Sequence, residues 1–291
     1  MESAPALVQG AAVVAHVPAG KVDEISAELV GEVGDRDVVA LGGGRVVDTA
    51  KAVAGAGGGA CAAVPTTLSG AELTPFHRTP AGVEGARMVR PALVVADPAL
   101  MASQAPAQLV ASALNALAHA LEATYTPFAN PVGDAAALRA SALLAEGTRA
   151  EPPDRDAAAL GALLAGYASG AAGFAVHHAV CQMLVRVAGT PHAETNAVML
   201  PHSARLMAGR APGPLGAFAA ALGDPAGDPG AAAERVAALT RRTGYTRLSE
   251  LGAGEEHVVL VVEAVGAHPA LGNTPDPPNA AELTAFVLAA L

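Results

Sequence analysis

Short runs of apolar, β-branched residues alternate with apolar positions at helical spacing through the first third of the chain. Asp37-Val38-Val39-Ala40-Leu41 has the length and composition of a buried strand and leads straight into Gly42-Gly43-Gly44. Over residues 46–54, Val47, Ala50 and Val53 recur at three-residue steps, which predicts a helix. After the glycine-rich break at 55–59, a second strand over 61–64 is stopped by Pro65, and a third over 92–96 ends at Asp97-Pro98. Strand, glycine turn, helix and strand in this order predict a parallel sheet with helices on its faces. Beyond about residue 105 strand-like runs nearly vanish. Ala/Leu-rich stretches predict helices over 107–125, 134–150, 156–187 and 231–242, with prolines between them where they end helices without breaking them. Segments 211–230 and 266–279 read as loops, before a last helix over 280–291. The expected organisation is an α/β domain over 1–105 and an all-α domain over 106–291.

Composition narrows the function classes. With 291 residues, 52% hydrophobic and 15% charged, the chain has ample material for a core and does not read as disordered. A net charge of −10 offers no footprint for nucleic acid or for an anionic membrane surface. Cys61 and Cys181, the two cysteines, cannot build a disulfide framework, and residues 1–10 lack the basic start of a signal peptide. A cytoplasmic protein with a small-molecule substrate is expected, with no nucleic-acid or membrane partner. A sheet with an open edge adds the expectation of a homodimer.

Two constellations carry chemistry. Gly42-Gly43-Gly44 between a strand and a helix N-terminus lets a phosphate approach the first-turn amides, although the same glycines also serve a tight turn with no ligand. Five of the nine histidines lie between 119 and 202. Asn115 and His119, four apart, project from one helix face, while His177-His178 lie in a later helical stretch and His192 in the loop expected to follow it. Ordinary core histidines and a functional cluster both remain open on this pattern.

The wider context resembles a known family. Gly42-Gly43-Gly44-Arg45-Val46-Val47-Asp48-Thr49-Ala50-Lys51 is similar to the GGGSxxDxAK motif of the iron-containing alcohol dehydrogenase superfamily. Pro65-Thr66-Thr67-Leu68-Ser69-Gly70-Ala71-Glu72-Leu73-Thr74-Pro75 looks most like its maleylacetate reductase branch. So do Asn115-Ala116-Leu117-Ala118-His119-Ala120, His177-His178-Ala179-Val180-Cys181 and the stretch from Pro191-His192 to Pro201-His202. The resemblance spans about Val38 to the C-terminus. It implies a truncated Rossmann-like parallel sheet followed by an all-α domain, the dehydroquinate synthase-like and iron-alcohol-dehydrogenase-like architecture. It further implies that NAD(P)H is held by Gly42, Gly43, Gly44, Asp48, Lys51, Thr66 and Thr67. Thr74, His77, Asn115 and Gln182 would meet the substrate, and His119, His178 and His192 would polarise it or relay a proton in an interdomain cleft. In iron-dependent members an Asp, a His four residues later and two histidines fourteen apart bind the metal. Here His119, His178 and His192 match, but Asn115 replaces the anionic ligand, so a divalent metal such as iron or zinc is not expected.

Three departures accompany the resemblance. Gln182 stands where both branches tend to carry a histidine, and glutamine cannot shuttle a proton. Arg45 replaces the serine of the glycine motif. The family's first strand-helix-strand unit, which supplies the acidic residue for the ribose hydroxyls, has no counterpart before Val38. The leading expectation is hydride transfer from NAD(P)H to a small carboxylate-bearing unsaturated or keto substrate. The alternatives are a cofactor-independent cyclase, isomerase or lyase using the histidine-lined cleft, and a non-catalytic binding homologue.

Overall fold

In the computed structural model, which describes residues 9–291, the chain divides into two compact units. One comprises residues up to Thr66 together with Ala71–Asp97; the other comprises Thr67–Gly70 and Pro98–Leu291. Residues 1–8, on which part of the signal-peptide reading rests, lie outside the described residues.

The first unit runs α1 (Val22–Val33), β1 (Val38–Gly42), α2 (Gly44–Gly57), β2 (Cys61–Pro65) and β3 (Leu93–Val94). The three strands are parallel in the order β1-β2-β3, with Val38 opposite Cys61, Gly42 opposite Pro65 and Ala62 opposite Leu93. The core joins Ala40, Cys61 and Ala63 of the sheet to Val47, Ala50 and Ala54 of α2. These small side chains let the helix lie close on the strands. The glycines at the end of α2 and just beyond it answer to close approach, since a side chain at Gly57 or Gly59 would run into the carbonyls of Gly34 and Arg36. Helix coverage is less complete than the sequence predicts: Val39 and Leu93, on the other face of the sheet, are 60% and 59% exposed. The third strand is shorter than its apolar run. Only Leu93–Val94 is regular, though Ala92 and Val95 still donate to the carbonyls of Cys61 and Ala63.

The second unit is helical: α3 (Pro98–Met101), α4 (Pro106–Ala123), α5 (Pro131–Arg149), α6 (Arg155–Ala172), α7 (Val176–Ala188), α8 (His192–Ala208), α9 (Pro212–Ala221), α10 (Ala231–Thr240), α11 (Glu255–Gly266) and α12 (Ala280–Leu288). Helix α4 is its axis, every residue from Leu109 to Ala123 being buried among α5, α6 and α8. Side-chain caps mark several starts, Asn130 accepting from the Gly133 amide and Asp154 from that of Ala157. Among the described residues no single helix is long and apolar enough to cross a membrane. Cys61 and Cys181 are free and buried.

Three sequence expectations need correction. The stretch 156–187 is two helices, α6 and α7, bent by 101° at a break where Gly173 takes φ +78°. Segment 211–230 contains α9, whose two prolines lie in its first turn, where no intrahelical amide is needed, and whose Leu215, Phe218 and Ala219 are buried. His192 opens helix α8 and does not lie in a loop.

Candidate active site

The glycine turn joins β1 to α2 as the sequence predicts. A side chain at Gly42 would meet Val46 at 2.6 Å, so this position is held to glycine by packing. Gly43 is the N-cap and its carbonyl accepts from Val46 and Val47. It brings no side chain to the first-turn amides, so the positive end of the helix dipole is left for an anion such as a cofactor phosphate. Thr66 donates its amide to Gly42 O at 3.0 Å, which fastens the second turn of the motif to the first; Thr67 belongs to the helical unit.

Asp48 and Lys51 turn inward. Lys51 is fully buried, its Nζ 2.8 Å from Asp48 Oδ1. The same ammonium donates to the carbonyls of Ala71, Thr74 and Phe76. His77 is engaged at both ring nitrogens, with Nδ1 donating to Arg78 O and Nε2 accepting from the Val89 amide. Thr74 is buried.

Glu72, in the same segment as Thr74 and His77, is fully buried, with neither carboxyl oxygen hydrogen-bonded. Burial pushes its carboxyl up to about 7, against the pull of its own backbone amide and of Lys51 and with the push of Asp48. The native state therefore binds a proton that the unfolded chain, with its ordinary 4.5, has released. Stability contributed by this group is full below pH 4.5 and is lost as pH rises through about 7. That loss amounts to about 3 kcal/mol at roughly 1.4 kcal/mol per pH unit. Glu72→Gln is expected to be stabilised relative to the parent at pH 8 and to lose that advantage by pH 5. Parallel melting curves whose difference is independent of pH would refute this.

In the helical unit, Asn115 and His119 share one face of α4, and the His119 ring stacks on His178 of α7 with centroids 4.1 Å apart and planes at 16°. Phe174 packs against both rings, its centroid 4.9 Å from that of His178 and 5.5 Å from that of His119. His119 Nδ1 lies 3.3 Å from Ser169 Oγ. Burial, and then the neighbouring His178, His192 and His177, hold its pKa well below the ordinary range. His192 thus stands within electrostatic reach of both stacked rings. His177 has both nitrogens occupied, Nε2 donating to Asn196 Oδ1 at 3.0 Å and Nδ1 lying 2.7 Å from Ser203 Oγ. Burial, then His178, pushes it down to about 3.

His178 differs. Its Nδ1 donates to Glu122 Oε2 at 2.6 Å, while its buried Nε2 has no partner, and neither has Asn115 Oδ1. Burial, then His192, pushes the ring down to about 3, so it is neutral and carries a lone pair on Nε2. Glu122 is the site residue that the sequence reading missed. This fully buried carboxylate also accepts from the amides of Ala175 (3.0 Å), His177 (2.7 Å) and His178 (3.4 Å), so it caps α7 as well as holding the His178 ring. The available signal is a lone acidic residue in an otherwise apolar helix, which requires a partner when buried. Gln182 accepts at Oε1 from His268 Nε2 (3.2 Å), a second residue the sequence reading did not single out.

A single metal ion does not fit these side chains as they stand. Imidazole lone pairs lie in the ring plane, and two rings stacked face to face aim theirs side by side instead of at one point. Among the described residues no three His, Cys, Asp or Glu are grouped to hold an ion.

Comparison with known proteins adds the family. The C-terminal profile of the Fe-containing alcohol dehydrogenase family matches residues 109–291. Maleylacetate reductase 1 of Rhodococcus opacus is 38% identical over 219 residues, 71% of this chain and 60% of that protein. The maleylacetate reductase of Rhizobium sp. (strain MTP-10005) is 34% identical over 265 residues, 87% of this chain and 74% of that protein. A crystal structure of maleylacetate reductase from Agrobacterium tumefaciens superposes with a TM-score of 0.79 at 31% identity, covering 92% of this chain and 78% of that one. The chain thus spans less than two thirds of the length of the Rhodococcus relative. The family description names iron, so the expectation that no divalent metal belongs here finds no support in these relatives, and the stacked histidines disagree with that metal.

Proposed function

The chain belongs to the iron-containing alcohol dehydrogenase family, and on that footing we propose that it is a maleylacetate reductase-like oxidoreductase acting on a small, carboxylate-bearing keto or unsaturated acid. The observation that carries this reading is the His178 ring, fixed at Nδ1 by Glu122 and left with a buried, unpartnered Nε2. A polar atom buried without a partner is costly, and such a group held at its other end by a carboxylate has the form of an acid-base catalyst awaiting a ligand.

NAD(P)H supplies the hydride when bound. The first-turn amides of α2 seat a phosphate, as the uncapped Gly43 turn favours. Neutral His178 accepts a proton from a substrate hydroxyl at Nε2, and Glu122 behind it steadies the charge that appears on the ring. In the reducing direction Nε2 first takes up a proton from solvent, giving an imidazolium that Glu122 steadies, and delivers it to the substrate oxygen as hydride reaches carbon. Stacking on His119 and Phe174 keeps water from the His178 face and fixes its plane.

The test is a titration of the protein with NADH and NADPH, followed by thermal melting and then by cofactor oxidation in the presence of maleylacetate and related keto acids. One cofactor is expected to bind at micromolar to millimolar levels and, at about a hundred times its dissociation constant, to stabilise by roughly 3 kcal/mol. Flat melting temperatures with both cofactors would overturn the redox reading and favour non-redox chemistry at the histidines.

A further inference from the structure

The chain has two lysines, and they live in opposite surroundings. Lys21 lies open before α1, its side chain 71% exposed and paired with Glu24. Lys51, in the middle of α2, has no exposed surface. An ammonium carries three N–H donors and no acceptor. Here three carbonyls converge on it, Phe76 O at 2.7 Å, Ala71 O at 2.8 Å and Thr74 O at 3.2 Å, with the Asp48 carboxylate alongside at 2.8 Å. No donor is left for a ligand. All three carbonyls come from one segment of six residues, which must therefore curl around a single point. Asp48 stands one turn earlier on the same helix and balances the charge.

From this geometry we propose that Lys51 is a positioning residue: it ties the glycine-turn helix α2 to the segment 71–77, sets where Thr74 stands, and does not touch the cofactor. The substrate side of the proposal rests on the reductase reading; the tie itself does not. Downstream the segment is fastened again by His77, whose two nitrogens hold the Arg78 carbonyl and the Val89 amide. The nucleotide turn and the Thr74 segment thereby form one rigid piece, and a substitution at 51 is felt at Thr74 through the backbone. Methionine matches the length of lysine but leaves three buried carbonyls unpaired. Arginine keeps the charge but presents a planar fork where the acceptors surround a point.

The native full chain supplies the first test, because two lysines make amine labelling unambiguous. With a limiting amine-reactive acetylating reagent and peptide mass readout, Lys21 is expected to react at the rate of an exposed lysine. Lys51 is expected to react at least about 100-fold more slowly, in parallel with amide hydrogen exchange over 71–77 both with and without NADH or NADPH. Fast labelling of Lys51 that cofactor suppresses would overturn the proposal and return the residue to the cofactor site. The second test is Lys51→Met beside Lys51→Arg. Lys51→Met is expected to raise the substrate KM about tenfold or more and to move the cofactor dissociation constant less than about twofold, with partial recovery in Lys51→Arg. A raised cofactor dissociation constant with unchanged KM would refute it. If the parent turns over no keto acid, the reductase reading fails while labelling and exchange still decide the tie. The same two measurements decide it if Lys51→Met does not fold.

Discussion

Glu122→Ala is expected to be the most damaging single substitution in the helical unit, lowering stability by about 3–5 kcal/mol, since several buried donors lose their acceptor at roughly 1–3 kcal/mol each. The carboxylate accepts from the amides of Ala175, His177 and His178 and from the His178 ring, and the alanine methyl replaces none of these bonds. Two of the losses fall on the first turn of α7, where amides have no intrahelical acceptor. Thermal or denaturant unfolding measures the effect. Glu122→Gln is the sharper variant, since it keeps one acceptor oxygen but turns an NH2 group toward donors. It should fall between the parent and the alanine variant. A glutamine variant as stable as the parent would show that the charge is not the anchor.

The second large effect is on turnover. His178→Ala is expected to lower kcat by about 10²- to 10⁴-fold, the usual worth of a general acid-base group, while the cofactor dissociation constant stays within about twofold. The reason is the division of labour within the chain: the uncapped glycine turn is in one unit and the unpartnered Nε2 of His178 in the other. His177 provides the internal comparison, because both its nitrogens are already bonded to Asn196 and Ser203. His177→Ala should lower the melting temperature with a smaller change in kcat. Equal, small losses of turnover in both variants would mean that the histidine cluster is packing alone.

Much of the fold was legible because it is local. The buried-strand runs at Val38 and Cys61, the glycine turn between them and the apolar spacing of α2 state strand, turn and helix within a few residues of each other. Helix α4 was equally plain, since an Ala/Leu stretch opened by Pro106 needs no distant information, and the four-residue spacing of Asn115 and His119 placed both on one face. Helix α9 was obscured because its prolines and glycines outweigh its apolar positions in a local count, whereas burial of Leu215 and Phe218 decides the matter.

Neighbouring residues suffice to state the strand-turn-helix order, the helical second unit and the motifs that carry the family. Which partners those residues have is a matter of tertiary structure. Where one long apolar stretch parts into α6 and α7 depends on Glu122, which reaches amides 53 to 56 residues further along the chain. Whether Lys51 faces a phosphate or the interior depends on carbonyls 20 to 25 residues away. Which of two adjacent histidines keeps a free nitrogen depends on Ser203 and Asn196 claiming His177 and leaving His178. Periodicity and propensity are set by neighbours within a few residues, while a buried polar group is defined by the partner that satisfies it. Such partners come from anywhere in the chain once the helices have packed.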